Sequence, residues 1–202
     1  MTPAAIGLRP HSGWAALVVV AGPTRFPQVV GRRRIEIADP KIPGSKQPYH
    51  AAENLELRKA ARLLARCERG SLELARRAFR EALDDLRGRG YAAVNCGLLL
   101  ASGRALPPLE SILASHALIH TADGEHFRNA LAAAAEGHEL AVTRIREREV
   151  LAAASEKLGV PADQLARRVA DMGKPLGSPW TQDQKLATLV GWLALAAGRR
   201  GR

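Results

Sequence analysis

The chain has 202 residues, of which 47% are hydrophobic and 25% charged, and it carries a formal net charge of +10. This length and apolar fraction allow one domain with an ordinary core and exclude wholesale disorder. Two cysteines exclude a disulfide framework. Arginine supplies 24 of the 30 basic residues. That bias favours a polyanionic partner, although a GC-rich genome produces the same composition without any function.

No segment of the sequence is long enough to span a membrane as a helix. The apolar runs at 14–21 and 186–197 are shorter than the roughly 20 residues that a spanning helix requires. The basic residue that precedes the first run does not lie near Met1, where a secretory leader would carry it. We therefore expect a soluble, cytoplasmic protein with no membrane partner.

The first part of the chain predicts three strands. Residues 4–8 and 14–20 are apolar runs separated by Arg9-Pro10-His11-Ser12-Gly13, a pattern typical of a β-hairpin. Residues 28–37 alternate from Arg32 onward and end at Asp39-Pro40. This segment predicts a third antiparallel strand with a basic face.

The rest of the chain alternates between helical and strand patterns. A helical stripe over about 51–86 is punctuated at Gly70-Ser71, where Ser71 is a predicted N-cap. An apolar strand at 91–101 follows, then a long helix at 109–135 and a short strand at 140–145. Three further helices are predicted at 146–158, after 161, and from 181 or 182 to 197. The order β-β-β-α-β-α-β-α predicts one α/β domain over 1–198 with a mixed five-stranded sheet, followed by a basic tail at 199–202.

Four segments carry a resemblance to a known family. They are the first hairpin at 6–15, the Ala-rich helix and following strand at 122–142, the helix start at 146–150, and the start of the last helix at 183–187. With the element order, they resemble the bacterial Holliday-junction resolvase (RuvC-like) family of the RNase H-like fold. The resemblance implies an RNase H-like sheet with helices on both faces and a site at the end of the first strand.

The same resemblance implies two-metal phosphodiester hydrolysis, which requires a cluster of carboxylates around cations about 4 Å apart. The first strand has Arg9 where the family has an acid, and Leu100-Ala101-Ser102-Gly103 ends the fourth strand without one. The last helix has Asp183, but Leu186 stands at the second acidic place. These departures argue against a two-metal nuclease and leave other enzymatic activity open.

The first hairpin is a candidate anion-binding site. Arg9, His11 and Ser12 combine a cation, an imidazole and a hydroxyl, and Lys185 of the last helix joins them if the resemblance holds. An ordinary β-turn is the alternative explanation. The resemblance also places Asp183 opposite the hairpin, which predicts an Arg9–Asp183 ion pair within about 6 Å.

The long helix carries a candidate metal site. His116, His120 and Asp123 are spaced by four and three residues and therefore share one stripe, and two histidines with an acid can ligate zinc. The candidate metal set is His116, His120, Asp123 and Asp183. Partly buried polar residues that bond to their neighbours give the same pattern. The sequence specifies no other cofactor, so a divalent metal is the one candidate.

Arg32, Arg33 and Arg34 on the third strand are candidate nucleic-acid contacts. Aromatic residues are scarce, which favours duplex or structured nucleic acid over single strands. A solvated basic surface is the alternative. The leading hypothesis is an RNase H-like protein that binds nucleic acid or another polyanion without two-metal nuclease activity.

Two alternatives stay open. One is a metal-dependent hydrolase or phosphotransferase that uses His11 and Ser12 of the hairpin with His120, Asp123 or Asp183. The other is a scaffold that uses the fold for subunit contacts. A homo-oligomer is compatible with each hypothesis, and the sequence names no substrate.

Overall fold

A computed structural model describes residues 1–101 and 105–198, and these residues contain one five-stranded sheet in the order β3-β2-β1-β4-β5. The strands are β1 (Thr2–His11), β2 (Trp14–Ala21), β3 (Gln28–Glu36), β4 (Tyr91–Leu100) and β5 (Ala141–Arg146). The first three pair antiparallel, whereas β1, β4 and β5 run parallel. The predicted mixed sheet is confirmed. The predicted tail at 199–202, together with Ser102 and Gly103, lies outside the described residues.

Helices cover both faces of this sheet, as predicted. They are α1 (Pro48–Ala52), α2 (Leu57–Gly88), α3 (Leu109–Leu113), α4 (His116–Glu136), α5 (Val150–Leu158), α6 (Ala162–Met172) and α7 (Gln182–Gly198). In the described part of the chain, none of them is both long and apolar enough to cross a membrane. Helices α2 and α4 pack on one face, and α5, α6 and α7 on the other.

Strand β1 contributes side chains to the hydrophobic cores on both faces of the sheet. Ile6 and Leu8 point into the core with α2 and α4, whereas Ala5 points into the core with α7. Successive side chains of a strand alternate between faces, so a strand covered on both sides is apolar at almost every position. This requirement explains why β1 and β2 appear in the sequence as continuous apolar runs.

Helix α2 corrects the predicted break at Gly70-Ser71. It is continuous over 32 residues. Ser71 is buried inside it, with Oγ 3.0 Å from Nε2 of His126, so Ser71 is not an N-cap. A Cβ atom at Gly70 would lie 3.2 Å from Cβ of Asp39. Gly70 therefore leaves room for the loop after β3 to pack against α2, and the helix continues through this residue.

The predicted helix over 109–135 is also corrected, because the structure divides it into α3 and α4. Ser115 between them has extended backbone angles, with φ −137° and ψ 111°, and acts as the N-cap position of α4. The interruption makes His116 the first residue of α4. A similar adjustment occurs after β5, where Glu147–Glu149 form a 3₁₀ turn before α5 begins at Val150.

Helix α7 lies directly against the backbone of the sheet at three glycines. A Cβ atom on Gly7 of β1 would overlap the carbonyl oxygen of Ala187 and lie 2.8 Å from the backbone nitrogen of Gly191. A Cβ atom on Gly97 of β4 would lie 2.7 Å from the carbonyl carbon of Val190. Side chains at these places would push the helix away from the sheet. The glycines therefore determine where the first turn of α7 lies relative to the end of β1.

His126 on α4 predicts a pH dependence of stability. Burial lowers the pKa of this imidazole from 6.5 to about 4, and the nearby Asp123 charge opposes the shift. The unfolded chain therefore binds a proton first as the pH falls. We expect the free energy of unfolding to decrease between about pH 6.5 and 4, by roughly 3 kcal/mol from this residue at the lower end. Urea unfolding at a series of pH values measures the slope, and His126→Gln should reduce it. An unchanged slope in that variant would contradict the assignment.

Candidate functional site

The carboxyl ends of β1 and β5 and the first turn of α7 meet at one edge of the sheet. Parallel strands end on the same side, and loops at that side commonly carry the functional groups of an α/β sheet. Arg9 lies near the end of β1, Glu147 directly follows β5, and Asp183 lies in the first turn of α7. Because residues 7, 9 and 11 share one face of β1, the contact of Gly7 with α7 also turns Arg9 toward Asp183.

Arg9 binds two carboxylates at this edge. Its Nε donates to Oε2 of Glu147 and its Nη2 donates to Oε1, both at 2.9 Å, so the pair is bidentate. The Nη1 group donates to Oδ1 of Asp183 and lies 2.7 Å from Nε2 of His11. Bidentate guanidinium–carboxylate pairs hold both partners in a fixed orientation. The predicted Arg9–Asp183 ion pair is confirmed, and Glu147 is an additional partner.

The network is partly shielded from solvent. The exposed fraction of the side chain is 19% for Arg9, 27% for Asp183 and 40% for Glu147. The hydrogen bond with Glu147 raises the pKa of Arg9, burial opposes it, and the charges of Glu147 and Asp183 raise it further. The guanidinium is therefore permanently charged, and it lies between two carboxylates, whose mutual repulsion it reduces.

An aromatic stack extends the network toward the edge strand β3. The His11 ring stacks on Trp14 with 4.2 Å between centroids, and its Nε2 lies 3.2 Å from Oδ1 of Asp183. The guanidinium of Arg34 lies 3.7 Å from the centroid of the Trp14 ring. His11 is thus held between an aromatic face and the Arg9–Asp183 pair, and one face of its ring is occupied.

The two-metal site that the resemblance implies does not fit these residues. Such a site needs free carboxylate oxygens around each cation. Here both carboxylates are bonded to Arg9, and the guanidinium offers no lone pair to a metal. A divalent ion among them would also be repelled by the positive charge of Arg9.

The other predicted anion-binding residues do not join this network directly. Ser12 is exposed in the turn between β1 and β2, and Lys185 is half-buried on α7. Across residues 1–101 and 105–198, no side-chain hydrogen bond or ion pair connects either of them to Arg9. An anion at the hairpin would have to compete with Glu147 and Asp183 for the guanidinium. An anion site at Arg9, His11, Ser12 and Lys185 therefore stays a prediction.

The three arginines of β3 point to both faces of the sheet and are engaged within the protein. Arg32 donates from Nη2 to the carbonyl oxygen of Leu176, at 2.9 Å, and from Nη1 to that of Pro179. Arg33 lies 3.5 Å from Asp85 of α2, and Arg34 donates to Glu36 at 2.6 Å. A continuous basic face over 32–34 is therefore not formed, because alternation turns Arg33 away from the other two.

The structure divides the predicted metal set between two places. Asp183 binds Arg9 at the sheet edge, so it is not grouped with the histidines. His116 and His120 do meet, with 3.1 Å between their Nε2 atoms. Asp123 is buried and bonds to Nδ1 of His50, which lies on α1. The hydrolase hypothesis requires the first hairpin to act together with the histidines of α4. Among the described residues, no side-chain contact connects the Arg9 network to the His50–His116–His120 cluster.

Sequence patterns missed two residues of these clusters. Glu147 follows β5 directly, and the parallel order of the strands could have placed it beside Arg9. His50 follows a proline-rich loop, 66 positions before His116 in the chain. No periodicity connects segments that far apart, so only the tertiary fold brings His50 to α4.

Comparison with known proteins agrees with the architecture. No protein-family model and no curated protein sequence matches the chain. A solved structure of T. thermophilus RuvC in complex with Holliday junction substrate is 12% identical with a TM-score of 0.59, over 98% of this chain and 96% of that chain. A second Thermus thermophilus RuvC structure is 14% identical with a TM-score of 0.51, over the same shares. The chain therefore has the RNase H-like α/β fold that these RuvC structures share.

Proposed function

We propose that this protein binds duplex or branched nucleic acid through an exposed arginine surface on α2 and does not hydrolyse it by a two-metal mechanism. The observation that carries the binding proposal is a row of exposed arginines along α2, and the absence of two-metal hydrolysis rests on the bonds of Arg9 to both carboxylates at the sheet edge. The fold supports the class of ligand, because one structure that shares it is a RuvC bound to a Holliday junction.

The surface is defined by six exposed arginines on α2, which we call the α2 basic stripe. They are Arg58, Arg62, Arg66, Arg69, Arg76 and Arg80. At 3.6 residues per turn they fall within a sector of roughly 80° and extend over about 33 Å. That length is close to one turn of duplex DNA, which is about 34 Å. The stripe lies opposite the buried face of the helix, so it is open to a ligand.

One exposed acid, Glu73, lies in the sector of the stripe, and in the described part of the chain it is not paired with any of the six arginines. Among the described residues, no ion pair includes any of the six, whereas the neighbouring Arg77 lies 4.0 Å from Glu81 and Arg87 lies 2.7 Å from Asp84. Like charges at i and i+4, as in Arg58 and Arg62, destabilise a helix by about 0.2–0.5 kcal/mol per pair. A polyanion placed along the stripe would remove this repulsion and release its own counterions.

The stripe is a better candidate than the predicted contacts Arg32, Arg33 and Arg34. Each of those three guanidiniums already has a carbonyl or carboxylate partner within the protein. Breaking such bonds to reach a phosphate offsets part of the binding energy. We therefore assign binding to the α2 basic stripe and only a secondary role to the β3 arginines.

Neutralising part of the stripe tests the binding proposal. The variant Arg62→Gln/Arg66→Gln should bind a 30-base-pair duplex or a four-way junction at least tenfold more weakly at 100 mM salt. Its plot of log affinity against log salt should be shallower by about 2, because two phosphate contacts are lost. Fluorescence anisotropy with labelled DNA measures both quantities. The matched control is Arg87→Gln/Arg167→Gln, which removes the same charge from two exposed arginines that have acidic partners.

Three outcomes distinguish the parts of the proposal. Equal weakening in both double variants would show that net charge alone drives binding, and that result would overturn the assignment to α2. Absence of DNA binding by the unaltered protein at low salt would overturn the nucleic-acid function. If the protein cleaved the junction in Mg²⁺ or Mn²⁺ and Asp183→Asn abolished the cleavage, the proposal that it does not hydrolyse nucleic acid would be wrong.

A further inference from the structure

Three histidines from two helices meet on the surface away from the Arg9 network. His116 and His120 lie one turn apart at the start of α4, and His50 lies on α1. One nitrogen of each ring lies within 4.8 Å of a nitrogen of the other two. The ring centroids of His50 and His120 are 4.5 Å apart, and those of His50 and His116 are 5.3 Å apart. The imidazoles therefore converge on one small volume.

These separations are close to those of a metal site. Zinc–nitrogen bonds of about 2.0–2.1 Å in a tetrahedral arrangement place the ligand nitrogens about 3.3 Å apart. The Nε2 atoms of His116 and His120 are already 3.1 Å apart. The nitrogens of the three rings lie within 4.8 Å of one another, so a shift of up to about 1.5 Å would complete the set, and the exposed His116 and His120 are free to make it.

Asp123 holds His50 in the orientation that a metal ligand requires. Its Oδ2 lies 2.5 Å from Nδ1 of His50, and its Oδ1 accepts the backbone N–H of Tyr49 at 2.7 Å. The carboxylate is 3% exposed. A carboxylate on Nδ1 fixes the proton there, so the lone pair of Nε2 is free to bind a cation. Carboxylate–histidine–metal arrangements use this same orientation.

We propose that His50, His116 and His120 bind one transition-metal ion, with zinc as the ion that suits them best, and that Asp123 positions His50 without touching the metal. Three neutral imidazoles favour zinc over magnesium or calcium, which prefer oxygen ligands. His116 is 68% exposed, and Glu53 Oε1 lies 4.0 Å from its Nδ1. The fourth position is therefore open to water, and the ion would join α1 to α4.

An alternative explains part of the cluster without a metal. A neutral His116 can donate one N–H to the free nitrogen of His120, and this bond alone accounts for the distance between them. It does not account for the third ring, whose proton is held on the opposite side by Asp123. A shared cation would bind a nitrogen of all three rings, which lie within 4.8 Å of one another.

Zinc binding to tag-free, metal-free protein tests this site. Isothermal titration with zinc alone should show one site per chain, and Co²⁺ should give the visible absorption bands of a four-coordinate complex. His116→Ala and His120→Ala should each weaken zinc binding at least 100-fold. The control is His138→Ala, which removes a histidine bonded to the carbonyl oxygen of Arg76 and should bind zinc normally.

The positioning role of Asp123 has its own readout. Asp123→Asn should weaken zinc binding about 10–100-fold, as loss of an outer-shell carboxylate typically does. Asp123 is buried, so its variant must first show the thermal unfolding of a folded protein. His116→Ala answers the main question even if that variant fails to fold, because His116 is exposed. No zinc binding by the unaltered protein, or binding unchanged in both His116→Ala and His120→Ala, would overturn the proposal.

Discussion

Gly7→Ala is expected to lower the free energy of unfolding by roughly 3 kcal/mol or more, because overpacking against backbone cannot be relieved by a rotamer change. The added methyl group would overlap the carbonyl oxygen of Ala187 and approach the backbone nitrogen of Gly191 at 2.8 Å. Helix α7 would have to move away from β1 and β4. Urea unfolding followed by circular dichroism measures the loss.

Gly88→Ala is the matched control for this substitution. Gly88 is the last residue of α2, and a Cβ atom there would meet no other atom within 4 Å. Alanine favours a helix over glycine, so the control should be neutral or slightly stabilising. If Gly7→Ala were as stable as Gly88→Ala, the close contact between α7 and the sheet would be wrong.

Arg9→Ala is expected to destabilise the protein by roughly 2 kcal/mol, since it leaves two partly buried carboxylates without their cation. Glu147 and Asp183 would then repel each other, and their oxygens would become available to a divalent ion. The melting temperature of this variant should therefore rise when Mg²⁺ or Mn²⁺ is added. The melting temperature of the unaltered protein should rise less, because Arg9 occupies the place of the ion. Differential scanning fluorimetry over a metal titration measures the effect.

Arg80→Ala provides the comparison for Arg9→Ala. Arg80 is exposed on α2, and no ion pair in the described part of the chain includes it. Its removal should change the free energy of unfolding by less than about 0.5 kcal/mol. A loss of similar size in both variants would show that the Arg9 network contributes nothing specific to stability.

The sequence predicted the sheet well because its strands are covered on both faces. Continuous apolar runs in β1, β2 and β4, followed by helical patterns, leave few other arrangements. The errors occurred where a residue with a strong local preference serves a tertiary contact. Gly70 suggested the end of a helix, but it gives room to the loop that carries Asp39. Local propensity is weak beside such packing.

The candidate sites were predictable to different degrees. The Arg9–Asp183 pair followed from the resemblance, because that likeness places the last helix beside the first strand. Its second carboxylate, Glu147, was missed because an acid after a short strand is common in any sequence. The histidines of α4 were singled out by their spacing, and Asp123 was expected beside them as a ligand. It binds His50, which a sequence pattern cannot bring near.

The Arg9 network supplies positive charge to the edge of the sheet without a bound metal ion. A site that gathers carboxylates for metal ions carries unbalanced negative charge, and its stability depends on the concentration of the ion. Here the counter-ion is a side chain, covalently attached to β1 and held by bonds to Glu147 and Asp183. The positive charge of Arg9 therefore stays at this edge at any concentration of divalent ions. At this edge Arg9 connects the ends of two strands and the start of a helix through bonds that require no bound ion.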